Sequence, residues 1–324
     1  MAIDAFEEVR AAEARIRPHI RETYLVPSPV LSERGGAQVY CKLENLQHTG
    51  SFKVRGALNK VLSLSEEQRA RGVVTASTGN HGAAVAFCLS KLDATGIVFV
   101  PGIADPSKVE AIKRLGAEVR VHGQDCAEAE VFARAYGDEH GMAYISPYND
   151  PQVIGGQGTV GVELARQLDR IDAIFVALGG GGLISGIAGY LKSVQPGVRV
   201  IGCSPENSPV MIRSVKAGRI LDLPSLPTLS DGTAGGLEPG AITFDLCREL
   251  VDDYVTVSEV EIAGSLLLFI GAHHMPIEGA AAVPIAAYLK TREKYADQNV
   301  VLVICGGNIG LETLRQVLNA AARI

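Results

Sequence analysis

The sequence predicts an α/β protein of two unequal domains, each a mainly parallel twisted sheet flanked by helices. Three observations predict it. Short runs rich in Val, Ile and Phe alternate with helical stretches of 10 to 15 residues, the pattern of βαβ units. The 324 residues, 47% hydrophobic and 20% charged, can bury one large core or two smaller ones. A turn cluster of Pro147, Asn149, Asp150 and Pro151 breaks the alternation and marks a seam.

The elements follow in order. Residues 5 to 17 put Phe6, Val9, Ala12 and Ile16 on one helical face, with Pro18 just beyond. A turn-rich stretch leads to a strand at 38 to 44. Strands then fall at 73 to 77, 96 to 100, 118 to 122 and 142 to 146, with helices near 80 to 92, 106 to 115 and 125 to 138. Past the seam come a helix at 151 to 168, a strand at 173 to 178, a helix at 183 to 194 and a strand at 199 to 204. An irregular stretch from 219 to 241 is long enough to suggest a functional loop. A strand at 253 to 258, two helices, a strand at 300 to 306 and a last helix complete the pattern.

Composition narrows the function. A net charge of −6 and the lack of a basic stripe argue against nucleic acid as a partner. MAIDAFEEVR has no apolar leader core, which points to a cytoplasmic protein. The apolar stretches at 173 to 191 and 260 to 289 are interrupted by glycines, His273, His274, Pro276 and Glu278, so no membrane partner is expected. Six scattered cysteines with no C-x-x-C pair fit reduced thiols. Glycine is in surplus, 36 residues against a usual ~7%, and needs a local explanation.

Four segments supply candidates. In AIFVALGGGGLISG a buried strand enters Gly179, Gly180, Gly181 and Gly182 and then Leu183 on a helix, so bare N–H groups converge into a phosphate cup. A tight turn would need only one or two glycines. The formal G-x-G-x-x-G at Gly156, Gly158 and Gly161 follows no clean strand, so nucleotide binding is not favoured. In HTGSFKVRGAL, Lys53 opens a helix with Ser51 as candidate N-cap, where a cation is disfavoured. It is either a nucleophilic amine or an exposed lysine bearing a small cost. In TASTGNHGAA the strand ends in Ser77, Thr78, Gly79, Asn80 and His81, a turn suited to a carboxylate or to plain helix capping. In VICGGNIG, Cys305 ends a strand where it either meets a ring nitrogen or is merely small and buried.

Together, in this order from about residue 5 to 316, these segments resemble the fold type II pyridoxal-phosphate enzymes. The similarity is closest to the serine/threonine dehydratase and serine racemase family, whose fold is that of the tryptophan synthase β chain. The resemblance implies pyridoxal 5′-phosphate as cofactor, with Lys53 as its Schiff-base and catalytic lysine, Phe52 and Asn80 flanking the ring and its phenolic oxygen, and Gly179 to Leu183 holding the phosphate. Cys305 would face the ring nitrogen and Glu278 would lie near the ring. Ser77, Thr78, Gly79 and His81 would line the substrate carboxylate site. Tyr148 and the stretch holding Gly235 and Gly236 would set substrate size. Residues 1–62 and 150–324 would form the large cofactor-binding domain, and 63–149 a small mobile domain carrying the carboxylate loop. A homodimer is implied as well.

Departures from the family pattern shape the expected chemistry. Cys305, a neutral thiol with an ordinary pKa of about 8.5, would make the ring a weak electron sink and favour prompt loss of a β-substituent. Thr78 stands where racemases carry a serine, and its stiff χ1 disfavours proton relay on the second face. Ser204 replaces the carboxylate of the racemases' cation site, with Glu206 two residues on, and the pair His274 and Glu278 lacks further ligands, so no metal is expected. Because little follows the last predicted helix, the regulatory C-terminal domain of biosynthetic threonine dehydratases, and feedback control through it, are not expected. The expected activity is an ammonia-lyase that converts a 2-amino-3-hydroxy acid to a 2-oxo acid and ammonia. Candidate substrates are threonine, serine, or a bulkier relative such as phenylserine, hydroxyaspartate or a hydroxyectoine-derived acid. The alternatives are a serine racemase-type isomerase and a non-catalytic binder of a phosphate ligand.

Overall fold

In a computed structural model, described for residues 3–104 and 106–321, the apolar runs pair into two sheets. The strands are β1 (Leu25–Pro27), β2 (Gln38–Leu43), β3 (Val73–Ala76), β4 (Gly96–Val100), β5 (Glu118–Val121), β6 (Ala143–Tyr144), β7 (Ala173–Ala177), β8 (Arg199–Pro205), β9 (Asp253–Val257) and β10 (Asn299–Ile304). The larger sheet runs β1-β2-β10-β7-β8-β9 and the smaller β5-β4-β3-β6. Every pairing is parallel except β1 with β2. Parallel strands need crossovers, and helices supply them on both faces, which is why β7 is buried along its whole length.

Local chemistry sets the helix starts. The helix Ala5–Ile16 begins where Asp4 accepts from the N–H groups of Phe6 and Glu7, and it buries Ala5, Val9, Ala12 and Ile16. Asp125 and Asp150 cap the helices Cys126–His140 and Pro151–Gln167 in the same way, and Ser65 and Ser258 form capping boxes. The helix Lys53–Ser63 buries Val54, Ala57, Leu58 and Val61 against the helix Asn80–Leu92 and Val153, each worth ~1.5–3 kcal/mol for the larger side chains.

Two expectations are corrected, and two hold. The turn-rich stretch before β2 contains β1 and a short helix, Pro29–Gly35. The strand expected at 142 to 146 shrinks to two residues because the Ile145 carbonyl is taken by the Thr75 hydroxyl and by His81 Nε2, both at 2.9 Å. Gly156, Gly158 and Gly161 lie inside a helix. A Cβ at Gly156 would meet the Arg55 carbonyl oxygen at 2.5 Å, and one at Gly158 the Gly186 carbonyl oxygen at 2.7 Å. These glycines admit neighbouring helices instead of baring N–H groups. The stretch 219 to 241 holds only a short 3-10 turn, Asp231–Thr233, as expected of a loop. No helix among the described residues is long and apolar enough to cross a membrane.

Candidate active site

The site forms at the carboxyl ends of β3, β7 and β10, where parallel strands release the chain into helices. Thr49 (φ 60°) and Gly50 (φ 71°) turn the chain through left-handed conformations into Ser51–Phe52–Lys53. This approach is stitched to the end of β10: the Phe52 N–H donates to the Cys305 carbonyl at 3.1 Å, the Gly307 N–H to the Gly50 carbonyl at 2.9 Å, and Ser51 bridges to Gly306. Ser51 is therefore not the N-cap. Phe52 occupies that position with no side-chain cap, and the Ser51 hydroxyl is buried without a partner.

Lys53 Nζ donates to the Pro147 carbonyl at 2.8 Å and lies 5.3 Å from the centre of the Phe52 ring. Burial pushes its pKa down to about 8, against smaller opposite effects of Cys305 and Glu278. The same burial drives the Cys305 thiol well above its usual range, so it stays protonated. Glu278, 4% exposed, is also raised by burial, opposed by the Asn80 amide.

Two uncapped helix starts face this chemistry. Gly181 (φ 87°) precedes the helix Gly182–Val194 with no side-chain cap, and among the described residues the N–H groups of Gly179, Gly180, Gly181, Gly182 and Leu183 find no protein acceptor. The cup is closely built. A Cβ at Gly179 would meet the Thr233 carbonyl oxygen at 2.8 Å, and one at Gly180 the Tyr148 ring at 2.4 Å. The helix Asn80–Leu92 likewise starts uncapped at Gly79, with Ser77, Thr78 and Gly79 half-buried. Gly82 is obligatory there, because a Cβ would lie 2.3 Å from the Ser77 carbonyl oxygen.

Asn80 joins the two sides: its amide nitrogen donates to both Glu278 oxygens at 2.9 and 3.0 Å, and its carbonyl oxygen accepts from Asn308 Nδ2 at 2.7 Å. The Asn308 N–H also donates to Glu278 at 3.2 Å. His81 is buried and neutral, its pKa pushed down to about 3 by burial and by Lys53. Nε2 contacts the Ile145 carbonyl oxygen, and Nδ1 is without a partner.

Not every expected residue joins the cluster. Tyr148 packs over the cup at Gly180 and Gly182, and its hydroxyl accepts from the Glu238 N–H at 2.8 Å. Gly235 and Gly236 are exposed, with nothing within 4 Å of a Cβ at either, and the Gly235 N–H is tied to the hydroxyls of Ser208 and Ser225. Their contacts do not join them to Lys53. His274 ends its helix at φ 55° and Glu278 precedes the next, so the two do not share a helix face. The Ser204 hydroxyl donates to the Leu178 carbonyl at 2.7 Å, while Glu206 pairs with Lys290.

Sequence reasoning missed Asn308, although it ends the CGGN motif that was singled out, and the Pro147 carbonyl, which no residue pattern signals. It also missed a buried ion network behind Lys53. Arg55 donates to Glu44 and Glu163 through four hydrogen bonds of 2.7 to 3.0 Å and to the Thr159 hydroxyl at 3.1 Å, and Lys42 Nζ reaches Glu163 at 2.6 Å.

A family model described as pyridoxal-phosphate dependent enzyme matches residues 16–306. The chain belongs to this family. It is 41% identical over 313 residues to the L-threonine ammonia-lyase of Thermotoga maritima, covering 97% of this chain and 78% of the relative. The structure of the processed form of threonine deaminase isoform 2 from Solanum lycopersicum superposes with a TM-score of 0.93 at 34% identity, covering 98% and 93% of the two chains. That of maize serine racemase gives 0.91 at 33% identity and 98% of each chain. The protein is thus a pyridoxal-phosphate-dependent lyase of the dehydratase type.

The residues present fit that cofactor. Five N–H donors without acceptors among the described residues, at a helix start, suit a phosphate, and a half-buried amine with a lowered pKa suits an aldehyde carbon.

Proposed function

We propose that the enzyme is a 2-amino-3-hydroxy acid ammonia-lyase, with threonine as the first candidate substrate, and that Lys53, Thr78 and the residues around them carry the reaction. The observation that supports this most is the pairing of a half-buried Lys53 amine, lowered to about 8, with two uncapped helix starts. When bound, pyridoxal phosphate supplies an aldehyde for the substrate amine and a conjugated ring for the electron pair left at Cα.

The chain's own groups do the rest. The N–H groups of Gly179 to Leu183 hold the phosphate, and those of Thr78, Asn80 and His81 hold the substrate carboxylate. Lys53 Nζ, largely neutral above its lowered pKa, takes the proton from Cα, and the same ammonium then lies ready to protonate the departing β-hydroxyl. The released enamine takes up water and loses ammonia to give the 2-oxo acid. Cys305 Sγ, kept protonated by burial, would offer the ring of a bound cofactor only a weak hydrogen-bond donor, which would favour rapid loss of the β-hydroxyl over prolonged charge storage at Cα.

The likeness to serine racemase supports a second reading, interconversion of serine enantiomers. We further propose that residues 63–149 move as a small domain, that the protein is cytoplasmic, and that it acts as a homodimer.

A 2-oxo acid release assay over threonine, serine, phenylserine and hydroxyaspartate, with chiral analysis of residual serine, separates the readings. Dehydratase action gives 2-oxo acid without accumulation of D-serine. Turnover of none of the four overturns the substrate class. Lys53→Ala should lower release by ~10³-fold or more, and near-full activity in that variant would overturn the role of Lys53.

A further inference from the structure

Glu238, in the irregular stretch between residues 219 and 241, gathers neighbours that the proposed reaction does not use. Its carboxylate accepts from Arg134 Nη2 at 2.6 Å, Asn149 Nδ2 at 2.9 Å and the Ser146 hydroxyl at 3.5 Å, and its own N–H donates to the Tyr148 hydroxyl at 2.8 Å. Apart from Arg134, these partners belong to one short run, residues 146 to 149. That run touches the cofactor site twice, through the Pro147 carbonyl on Lys53 Nζ and through Tyr148, whose ring lies on Gly180 and whose backbone and Cβ lie on Gly182.

Arg134 comes from the other side of the molecule, the helix Cys126–His140 beside the smaller sheet. It is held between Glu130 at 3.1 Å and Glu238, with its guanidinium carbon 4.1 Å from the centre of the Tyr144 ring. The Arg134 and Glu238 side chains are 37% and 21% exposed, so water screens the pair only partly. A second pair, Lys108 with Asp231 at 3.2 Å, ties the same stretch to another helix of that side, Pro106–Arg114.

We propose that Glu238, held by Arg134, is a positioning residue: it fixes the run from 146 to 149 and through it the place of Lys53 Nζ and the wall of the phosphate cup. Completion of the cofactor site is thereby coupled to docking of residues 63–149 against the rest of the chain. This rests on Lys53 and the glycine cup being the cofactor site. The connection is specific in its geometry, because each partner of Glu238 either carries the run or anchors it across the two sheets.

The test is rebinding of pyridoxal phosphate to the cofactor-stripped full chain, followed by the visible absorbance of the bound cofactor and its dependence on pH. Arg134→Met and Glu238→Gln should each weaken rebinding by about tenfold and shift the pH transition of that absorbance. The double variant should lose no more than the worse single one, since both break one connection, and Arg134→Lys should recover most of the affinity. Tyr148→Phe removes the acceptor for the Glu238 N–H without touching charge and should weaken rebinding as well, which keeps the test open if a charge variant fails to fold. Wild-type affinity and pH transition in these variants, even with a lower melting temperature, would overturn the proposal, as would fully additive losses. Failure of the underlying assignment shows separately: Lys53→Ala would then keep the borohydride-sensitive absorbance.

Discussion

At Lys53 the governing fact is that burial outweighs the opposing effects of Cys305 and Glu278. The folded amine titrates near 8 while an unfolded lysine titrates near 10.5, so between those values the unfolded chain holds a proton that the folded chain has released. Stability must then rise with pH across this window, and below it the folded cofactor-free protein bears the full cost of a buried charge. We expect the melting temperature of the cofactor-free protein to rise, through this group, from pH 8 toward 10.5, and Lys53→Met to lose that component and melt higher than wild type at pH 7. A variant with the same pH dependence as wild type would show that Lys53 is not the group responsible. His81 obeys the same sign rule at lower pH. Held neutral down to about 3, it adds a loss of stability as pH falls below 6.5, and contributes no charged imidazole to the site at neutral pH.

At the scale of elements, the glycine surplus divides into two uses that composition alone cannot separate. Gly179 to Gly182 bare N–H groups, whereas Gly56, Gly156, Gly158 and Gly186 let three helices approach backbone to backbone. The obstacle differs between neighbours. A Cβ at Gly156 would strike backbone, the Arg55 carbonyl oxygen at 2.5 Å and the Gly56 Cα at 2.6 Å, while one at Gly56 strikes the Gln157 side chain at 2.4 Å and Val153 Cγ1 at 2.9 Å. Side chains can yield and backbone cannot without moving the helix that carries Lys53. Gly156→Ala should therefore cost ~3 kcal/mol or more and lower activity, and Gly56→Ala less, ~1–3 kcal/mol, both measured by urea unfolding. Equal losses in the two variants would contradict this account. The motifs that could be recognised in the sequence were those in which strand, glycine and helix follow within a few residues. The helical glycines match a nucleotide fingerprint only in spacing, and the helix legible over 151 to 168, which Asp150 caps, bears out setting that match aside.

For the whole molecule, alternation of strand and helix was legible because each element carries its own period, but strand order was not. β2 lies beside β10 through the register Gln38 to Asn299, and nothing local in either segment announces the partner. The same holds for Arg55 with Glu163, 108 residues apart, and for Arg134 with Glu238, 104 apart: each appears in sequence as an ordinary charge and becomes informative only when folding removes water from it. The helix Glu259–His273 poses the reverse problem, since it is apolar on more faces than the fold uses. Ile262, Leu266 and Phe269 are buried, yet Val260 is 78% exposed, Leu267, Leu268 and Ile270 are only partly covered, and Gly264 and Gly271 have nothing within 4 Å of a Cβ. A surface helix of one chain carries polar groups opposite its core stripe, and this one carries leucines. A second copy seated there gives those side chains a reason to be apolar and supports the proposed homodimer. Wild-type protein should elute at twice the chain mass of 34.2 kDa, and Leu268→Glu, which places a charge on that face while sparing the buried Leu266, should elute as a single chain. A wild-type monomer would remove the dimer, and a dimeric Leu268→Glu would move its interface to another face.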